Sequence, residues 1–424
     1  MRHATTLTAA TLLGLAAPLL TSATTTAPAS AAGETCRGQA ATIVGTGRPI
    51  VGTEGPDVVV TNGAASVRTL GGDDLVCVTG SVPVYVTVVT GDGDDVVDGT
   101  TARDEDVSVS LGSGTDTFHG GDDDDRVHLD YPDPGTGPDV IHAGGGADEL
   151  WLRTGPGAAV IDNAAGRFSS AGELRTTWSG VEEFWLAAEP APRDLTVTGS
   201  DAPERVYDQT LVATTVSVDL RGGDDGWFSG VAPAPASRLD GGTGRDELYV
   251  ASDTGVLDLD LREGSLTVGA AGAYAVAAGG FEDAEVFAEH VVLAGTDGPN
   301  SLGLTACDGT VRGRGGDDRV ARAFEGLFEL FDADCGESLT INGGAGDDDV
   351  TGSGGPDTIV GGKGRDRLNG RHGSDRLVGG RGHDHLSGRE QRDTLLGGPG
   401  RDVADGGRGS RDLCRAERER RCER

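Results

Sequence analysis

Residues 361–388, GGKGRDRLNGRHGSDRLVGGRGHDHLSG, repeat one phrase three times. Glycine returns every nine residues, an aspartate follows five places later, and a leucine two places after that. From Gly343 the chain divides without a gap into GGAGDDDVT, GSGGPDTIV, GGKGRDRLN, GRHGSDRLV, GGRGHDHLS, GREQRDTLL, GGPGRDVAD and GGRGSRDLC. Position six is Asp348, Asp357, Asp366, Asp375, Asp384, Asp393 and Asp402, then Arg411. Position eight is Val350, Ile359, Leu368, Leu377, Leu386, Leu395, Ala404 and Leu413.

Glycines allow positive φ, so the first six residues of each unit read as a turn. The remaining three read as a strand with position eight pointing inward. Two units make one flattened coil, and units n and n+2 stack at strand spacing, about 4.8 Å. One edge then aligns Asp348, Asp366, Asp384 and Asp402; the other aligns Asp357, Asp375 and Asp393. Carboxylates at that spacing, flanked by turn carbonyls, form oxygen cages suited to Ca²⁺.

The run from Asp366 to Asp384, with Leu368, Gly373, Asp375, Leu377, Gly379 and Gly380 in phase, resembles the RTX, or haemolysin-type, calcium-binding repeat G-G-x-G-x-D-x-U-x. The resemblance implies a parallel β-roll with ions between successive turns on both edges. It also implies that the position-six aspartates and neighbouring turn carbonyls are the ligands. Three departures stand out. Gln391 replaces the fourth-position glycine and weakens the cage around Asp393; Val403 and Ala404 give a weaker core after Asp402; Arg411 ends the array at about residue 414, as a capping unit does. Residues 415–424 read as a charged cap, with a short helix over Arg415–Arg421 folding back on the last leucines.

Composition supports stacked repeats over a large three-dimensional core. Glycine accounts for 72 of 424 residues and aromatics for only 4 %. The net charge of −34 disfavours nucleic acid and anionic membranes and favours divalent cations. That charge is uneven: residues 1–342 hold 54 acids against 19 bases, and the remainder 15 against 16. The arginines beside the aspartates, Arg365, Arg367, Arg376, Arg392 and Arg401, have two readings. The plainer is solubility and rim salt bridges, each worth about 0–1 kcal/mol. The sharper is that they soften repulsion among stacked aspartates before metal arrives.

Upstream the same plan is eroded. Asp57, Asp74, Asp95 and Asp116 follow at steps of 17, 21 and 21, and Glu204, Asp225 and Asp246 repeat the step of 21. Alternating segments such as Val107–Leu111 and Val216–Leu220 read as strands. Degenerate coils of about 20 residues over 32–342, each with one acidic turn, are the economical account. Asp57, Asp74, Asp95, Asp116, Asp125, Asp148, Asp225, Asp246 and Asp318 are therefore further candidate ligands. A longer duplication pairs residues 147–152 with 245–250, 199–204 with 295–300, and 221–225 with 314–318. It sets one module at about 143–228 against another at about 241–321.

Residues 1–31 read as a cleaved secretory signal: Arg2 and His3, an apolar run to Leu20, and small residues before Ala32. No later stretch approaches a membrane span. In an oxidising compartment the six cysteines pair, and sequence proximity favours Cys36–Cys77, Cys307–Cys335 and Cys414–Cys422.

No G-x-S-x-G, H-E-x-x-H or Walker pattern is present. His119, His128 and His142 sit near Asp116, Asp125 and Asp148; His119 and His128 are nine apart, a spacing that would allow stacking, but all three read first as histidines flanking strands. His383 and His385 flank Asp384 at the rim. The expectation is an all-β parallel β-roll or β-solenoid, secreted and extracellular, binding Ca²⁺ with no catalytic site of its own. Its role is structural or adhesive, with cell-surface or extracellular matrix components as partners and no nucleic acid. The alternative is a secreted hydrolase, of lipase or protease class, whose roll is a calcium-dependent folding module.

Overall fold

In the computed structural model the described residues are 33–80, 85–102, 106–129, 137–155, 157–187, 194–210, 213–252, 255–270, 273–322, 337–409 and 411–422. Residues 1–31, read from sequence as a secretory signal, and Cys335 lie outside them. Short strands alternate between two parallel ladders, each strand pairing with the one a full coil later. The first ladder runs from Ile43–Val44 to Leu413–Arg415, and the second from Ile50–Val51 to Arg418–Arg420. In the nonapeptide array a coil is 18 residues: Leu368 pairs with Leu386 and Ile359 with Leu377. The chain is an all-β parallel solenoid. Among the described residues there is no α-helix, only a 3-10 turn at Asn163–Ala165.

Period-two alternation explains the core. Val67, Val88 and Val109 stack inward over three coils, as do Ile341, Ile359, Leu377 and Leu395, all at most 1 % exposed. Each coil alone has too few apolar side chains to stand unaided, so stability comes from stacking neighbours.

The first ladder is interrupted twice by a three-stranded antiparallel meander. Ala159–Asp162, Arg167–Ser170 and Glu173–Ser179 form one; Val256–Asp260, Ser265–Val268 and Tyr274–Gly279 form the other. Each slots between parallel neighbours, so a coil grows without breaking the stack. Outside the second ladder an aromatic row follows the coils: His128, Trp151, Trp185, Tyr207, Phe228 and Tyr249, at 4.1–6.2 Å between successive rings.

Two expectations need correction. The array does not close at Arg411. One extra residue in the last unit shifts the register, so Cys414, not Leu413, pairs with Leu395, and Leu413 is 57 % exposed. No helix covers Arg415–Arg421: Arg418–Arg420 instead forms a strand parallel to Val403–Asp405, because the open ladder edge offers backbone partners that an isolated short helix lacks. His119, His128 and His142 lie in strands, as read; the less favoured stacking of His119 on His128 does not occur, since the two lie on different ladders. His119 stacks on His142, one coil along, at 5.1 Å.

Cys36–Cys77 ties an antiparallel hairpin, Thr35–Cys36 with Gln39–Ala40, to the third coil, and Cys414–Cys422 closes the last. Cys307 is also disulfide-bonded. Replacing Cys414 and Cys422 by serine is expected to cost the last coil about 2–3 kcal/mol by the loop-entropy estimate. Amide exchange would show it as faster exchange at residues 403–420 with the coils before Asp384 unchanged. Equal exchange would mean the bond caps nothing.

Candidate metal centre

The turns of the solenoid build two columns of acidic side chains. On one edge, where the chain passes from the second ladder to the first, stand Asp57, Asp74, Asp95, Asp116 and Asp139, and later Asp357, Asp375, Asp393 and Asp412. On the other stand Asp125, Asp148, Glu182, Glu204, Asp225, Asp246, Glu282, Asn300, Asp318, Asp348, Asp366, Asp384, Asp402 and Glu417. The rungs are joined in one way. The Oδ1 of each aspartate accepts the backbone N–H of the residue at the same position one coil earlier. Asp348 N–H donates to Asp366 at 3.0 Å, Asp366 to Asp384 at 3.0 Å, and Asp384 to Asp402 at 3.0 Å. Opposite them, Asp357 donates to Asp375 at 2.9 Å and Asp375 to Asp393 at 2.9 Å.

Oδ2 is left over. In Asp74, Asp95, Asp116, Asp148, Asp225, Asp246, Asp318, Asp348, Asp366, Asp375, Asp384, Asp393 and Asp402 this oxygen is buried without a hydrogen-bond partner. These side chains are at most 3 % exposed. An unsatisfied buried carboxylate oxygen is costly, so each such position calls for a cation or a proton. Burial pushes the Asp366 and Asp375 carboxyls up to about 7, and those of Asp348 and Asp393 up to about 6; the backbone N–H of the preceding rung opposes the shift. Upstream, burial likewise raises Asp116, Asp148, Asp225 and Asp318 to about 7.

Three of the sixteen aspartates singled out from sequence differ. Asp57 accepts Thr53 N–H at 2.7 Å and the hydroxyls of Thr42 and Thr53. Asp357 accepts Ser353 N–H and hydroxyl at 2.6 and 2.8 Å, and Leu339 N–H at 2.7 Å. Asp125 accepts Val107 N–H at 2.8 Å and Gly121 N–H at 3.0 Å. None has an oxygen to spare. Asn300 and Glu204 are satisfied too. The Asn300 carboxamide accepts Thr296 N–H at 2.7 Å and donates to the Glu282 carbonyl at 2.6 Å; Glu204 accepts the N–H of Ser200 and the Asn163 carboxamide.

A sequence signal separates these rungs. Asp57, Glu204, Asn300 and Asp357 end the turns GTEGPD, GSDAPE, GTDGPN and GSGGPD. In each, the Ser or Thr at position two donates its N–H to the sixth residue, and its hydroxyl accepts the N–H of position four, as Gly298 to Thr296 at 3.1 Å and Gly355 to Ser353 at 3.2 Å. The turn is closed by its own donors. The remaining rungs absent from the sequence reading, Asp139, Glu182, Glu282, Asp412 and Glu417, sit out of the nonapeptide phase. Asp412, not Arg411, holds the last rung of its edge, accepting Asp393 N–H at 3.0 Å across 19 residues. Glu417 accepts Asp402 N–H at 2.8 Å.

The two edges of the array are unequal. Turns beginning at Gly343, Gly361, Gly379 and Gly397 keep G-G-x-G, whereas of the opposite turns those beginning at Gly352, Gly370 and Gly388 carry Ser353, Arg371 and Arg389 at position two, and the last, at Gly406, keeps it. Arg371 and Arg389 are held at φ of 73° and 82°, and Gln391 at 73°, each at a cost of about 1–2 kcal/mol. Gln391 nevertheless leaves the Asp393 rung in line, with both its ladder contacts made. On the regular edge the glycines allow close stacking: a Cβ on Gly380, itself at φ +117°, would lie 2.1 Å from the Gly362 carbonyl oxygen.

Among the described residues no three acidic, histidine or cysteine side chains converge on one point. A stacked column cannot do this, since it supplies one carboxylate per coil. An ion between two rungs would meet two such carboxylates and take its other oxygens from turn carbonyls, a donor set suited to Ca²⁺. The orphaned Oδ2 atoms fit that role.

The family model of the RTX calcium-binding nonapeptide repeat (4 copies) matches residues 108–130, 135–156, 340–359, 351–386 and 378–413. The chain carries RTX calcium-binding repeats. Both matched regions coincide with orphan-bearing turns, those of Asp116 and Asp148 and those of Asp348 to Asp402. No curated protein matches the chain. The repeats make it a calcium-binding repeat protein, and among the described residues no helix is long and apolar enough to cross a membrane.

Proposed function

We propose that the chain is a secreted Ca²⁺-loaded solenoid with a structural or adhesive role and no catalytic chemistry of its own. The observation that carries the calcium reading is the column of buried, partnerless Oδ2 atoms along both edges of the RTX array. Asp348, Asp366, Asp384 and Asp402, with Asp375 and Asp393 opposite, are the assigned ligands, together with turn carbonyls. Asp74, Asp95, Asp116, Asp148, Asp225, Asp246 and Asp318 form weaker upstream sites. Asp57, Asp125 and Asp357 are assigned as metal-free rungs. An inert, regularly loaded rod suits a spacer or adhesin.

Calorimetric titration of the metal-stripped protein with Ca²⁺ and Mg²⁺ tests the reading, alongside esterase and protease assays of the same preparation. Calcium uptake at several sites without hydrolysis is expected; hydrolysis abolished by an active-site inhibitor would make the chain an enzyme. Within the array, Asp375→Asn is expected to remove at least one calcium from the isotherm while Asp357→Asn leaves the count unchanged. Equal losses would mean that the closed Ser353 turn also takes an ion.

A further inference from the structure

The RTX array is acidic inside and basic outside. Of the ten acidic residues in the described part of 361–422, six are buried in the columns, and Asp405 is half-buried and paired with Arg421. Only Glu390, Glu417 and Glu419 are exposed, against fifteen exposed lysines and arginines. A formal charge of only +5 in this stretch (15 − 10) therefore conceals a strongly cationic surface. It contrasts with the acidic coils before it.

The cations are arranged in register. On the G-G-x-G edge Lys363 stands directly beside Arg381 one coil on. At position five Arg365 follows Asp347, then His383, then Arg401. On the adjoining face of the second ladder Arg367 pairs in register with His385, and Arg418 closes that row two coils later. The ion pairs inside this segment are His372–Glu390 and Arg421–Asp405, and neither includes these residues. Exposed acids stand beside only the first cation of two rows: Asp347, whose Oδ1 accepts Arg365 N–H, and Asp349, in register with Arg367. The position-six aspartates turn inward, with Oδ1 in the backbone ladder. Lys363 and Arg381, in register at one coil spacing of about 4.8 Å, repel, and past Asp347 and Asp349 no acidic residue stands in register with the cations of these rows. Calcium in the columns would add to the positive field.

We propose that this edge and the adjoining face, centred on Lys363, Arg365, Arg367, Arg381, Arg401 and Arg418, bind an acidic polysaccharide along the solenoid axis. The inference deepens the adhesive reading above by naming the chemistry of its partner. Guanidinium groups in a row present paired N–H donors that match sulfate or carboxylate groups along a polymer. A nucleic acid is the poorer fit: residues 361–424 contain no Phe, Tyr or Trp on which bases could stack, and the acidic coils upstream would repel its backbone.

The test measures binding of dextran sulfate, unsulfated dextran and duplex DNA to the calcium-loaded full chain at about 0.1 M salt, where the Debye length is about 10 Å. Dextran sulfate is expected to bind with affinity falling steeply as salt rises, and dextran not at all. The variant K363S/R365S/R381S/R401S is expected to lose about tenfold in affinity or more, as several exposed ion pairs add up. Arg238→Ser, on the upstream coils, is expected to change nothing. Calcium isotherms of both variants, unchanged from the parent, separate this result from a failure of the metal sites. No binding of dextran sulfate, equal binding by the four-site variant, or tighter binding of DNA would overturn the proposal.

Discussion

Stripping calcium at pH 8 is expected to melt the RTX array, and acidifying the stripped protein to pH 5 to restore much of it. Both halves follow from the same oxygens. With metal absent and the carboxyls ionised, Asp348, Asp366, Asp375, Asp384, Asp393 and Asp402 each bury an unpartnered Oδ2. Neighbouring rungs also repel, by about 0.8 kcal/mol per pair at 5 Å even at water's dielectric constant. A cation that binds only the folded cage removes both penalties, contributing about 2.7 kcal/mol per site at a hundred times its dissociation constant. A proton does part of the same work. A carboxyl raised to about 7 in the folded chain, from 3.8, holds its proton more tightly folded than unfolded. Its stabilising contribution is complete below pH 3.8 and disappears as pH rises through about 7. The metal-free melting temperature should therefore rise from pH 8 to pH 5, while the calcium-loaded protein, whose ligands must be deprotonated, shows the opposite trend. Far-UV circular dichroism with and without metal across this range decides it. A metal-free melting temperature flat with pH would mean the columns are satisfied in some other way.

Much of this was legible in the residues. Position six and position eight of the nonapeptides give the coil, the two edges and the inward column, because a period of nine with one apolar and one acidic site has few ways to stack. What escaped was whatever broke the phase. The single inserted residue before Asp412 moves a carboxylate into the rung that Arg411 would occupy, and a fixed nine-residue frame cannot see it. Glu182 and Glu282 follow the two meanders, whose 34- and 36-residue coils hide any period. Arg415–Arg421 reads as helix by local propensity, yet the exposed ladder edge recruits it as strand: tertiary context overrides a weak local preference. The difference between Asp357 and Asp375 was also written in the chain, as Ser353 against Arg371. Its meaning appears only once the donors of the turn are counted.

That count carries the second large effect. Asp366→Asn with Asp384→Asn is expected to stabilise the metal-free array and destabilise the calcium-loaded one. Asparagine keeps an acceptor for the backbone N–H of the preceding rung, so the ladder from Asp348 through Asp384 survives. Its second atom becomes an N–H₂ donor, placed where Oδ2 had no partner and turn carbonyls lie close. The chain already contains the donor half of this solution at Asn300, whose Oδ1 takes Thr296 N–H and whose Nδ2 donates to the Glu282 carbonyl and to the Thr296 hydroxyl at 3.0 Å. Removing two unsatisfied buried charges should raise metal-free stability at pH 8 by about 2–4 kcal/mol. In saturating calcium the loss of the three sites that share these carboxylates should cost about 8 kcal/mol, at about 2.7 kcal/mol each by mass action. Alanine at the same positions would lower stability in both states, since it removes the ladder acceptor as well. Chemical denaturation of the parent, the Asn pair and the Ala pair, each with calcium and with chelator, gives the pattern directly. A cage of carboxylates must weaken the protein until its ion arrives, whereas a purely structural ladder would respond to asparagine in the same way whether or not calcium is present.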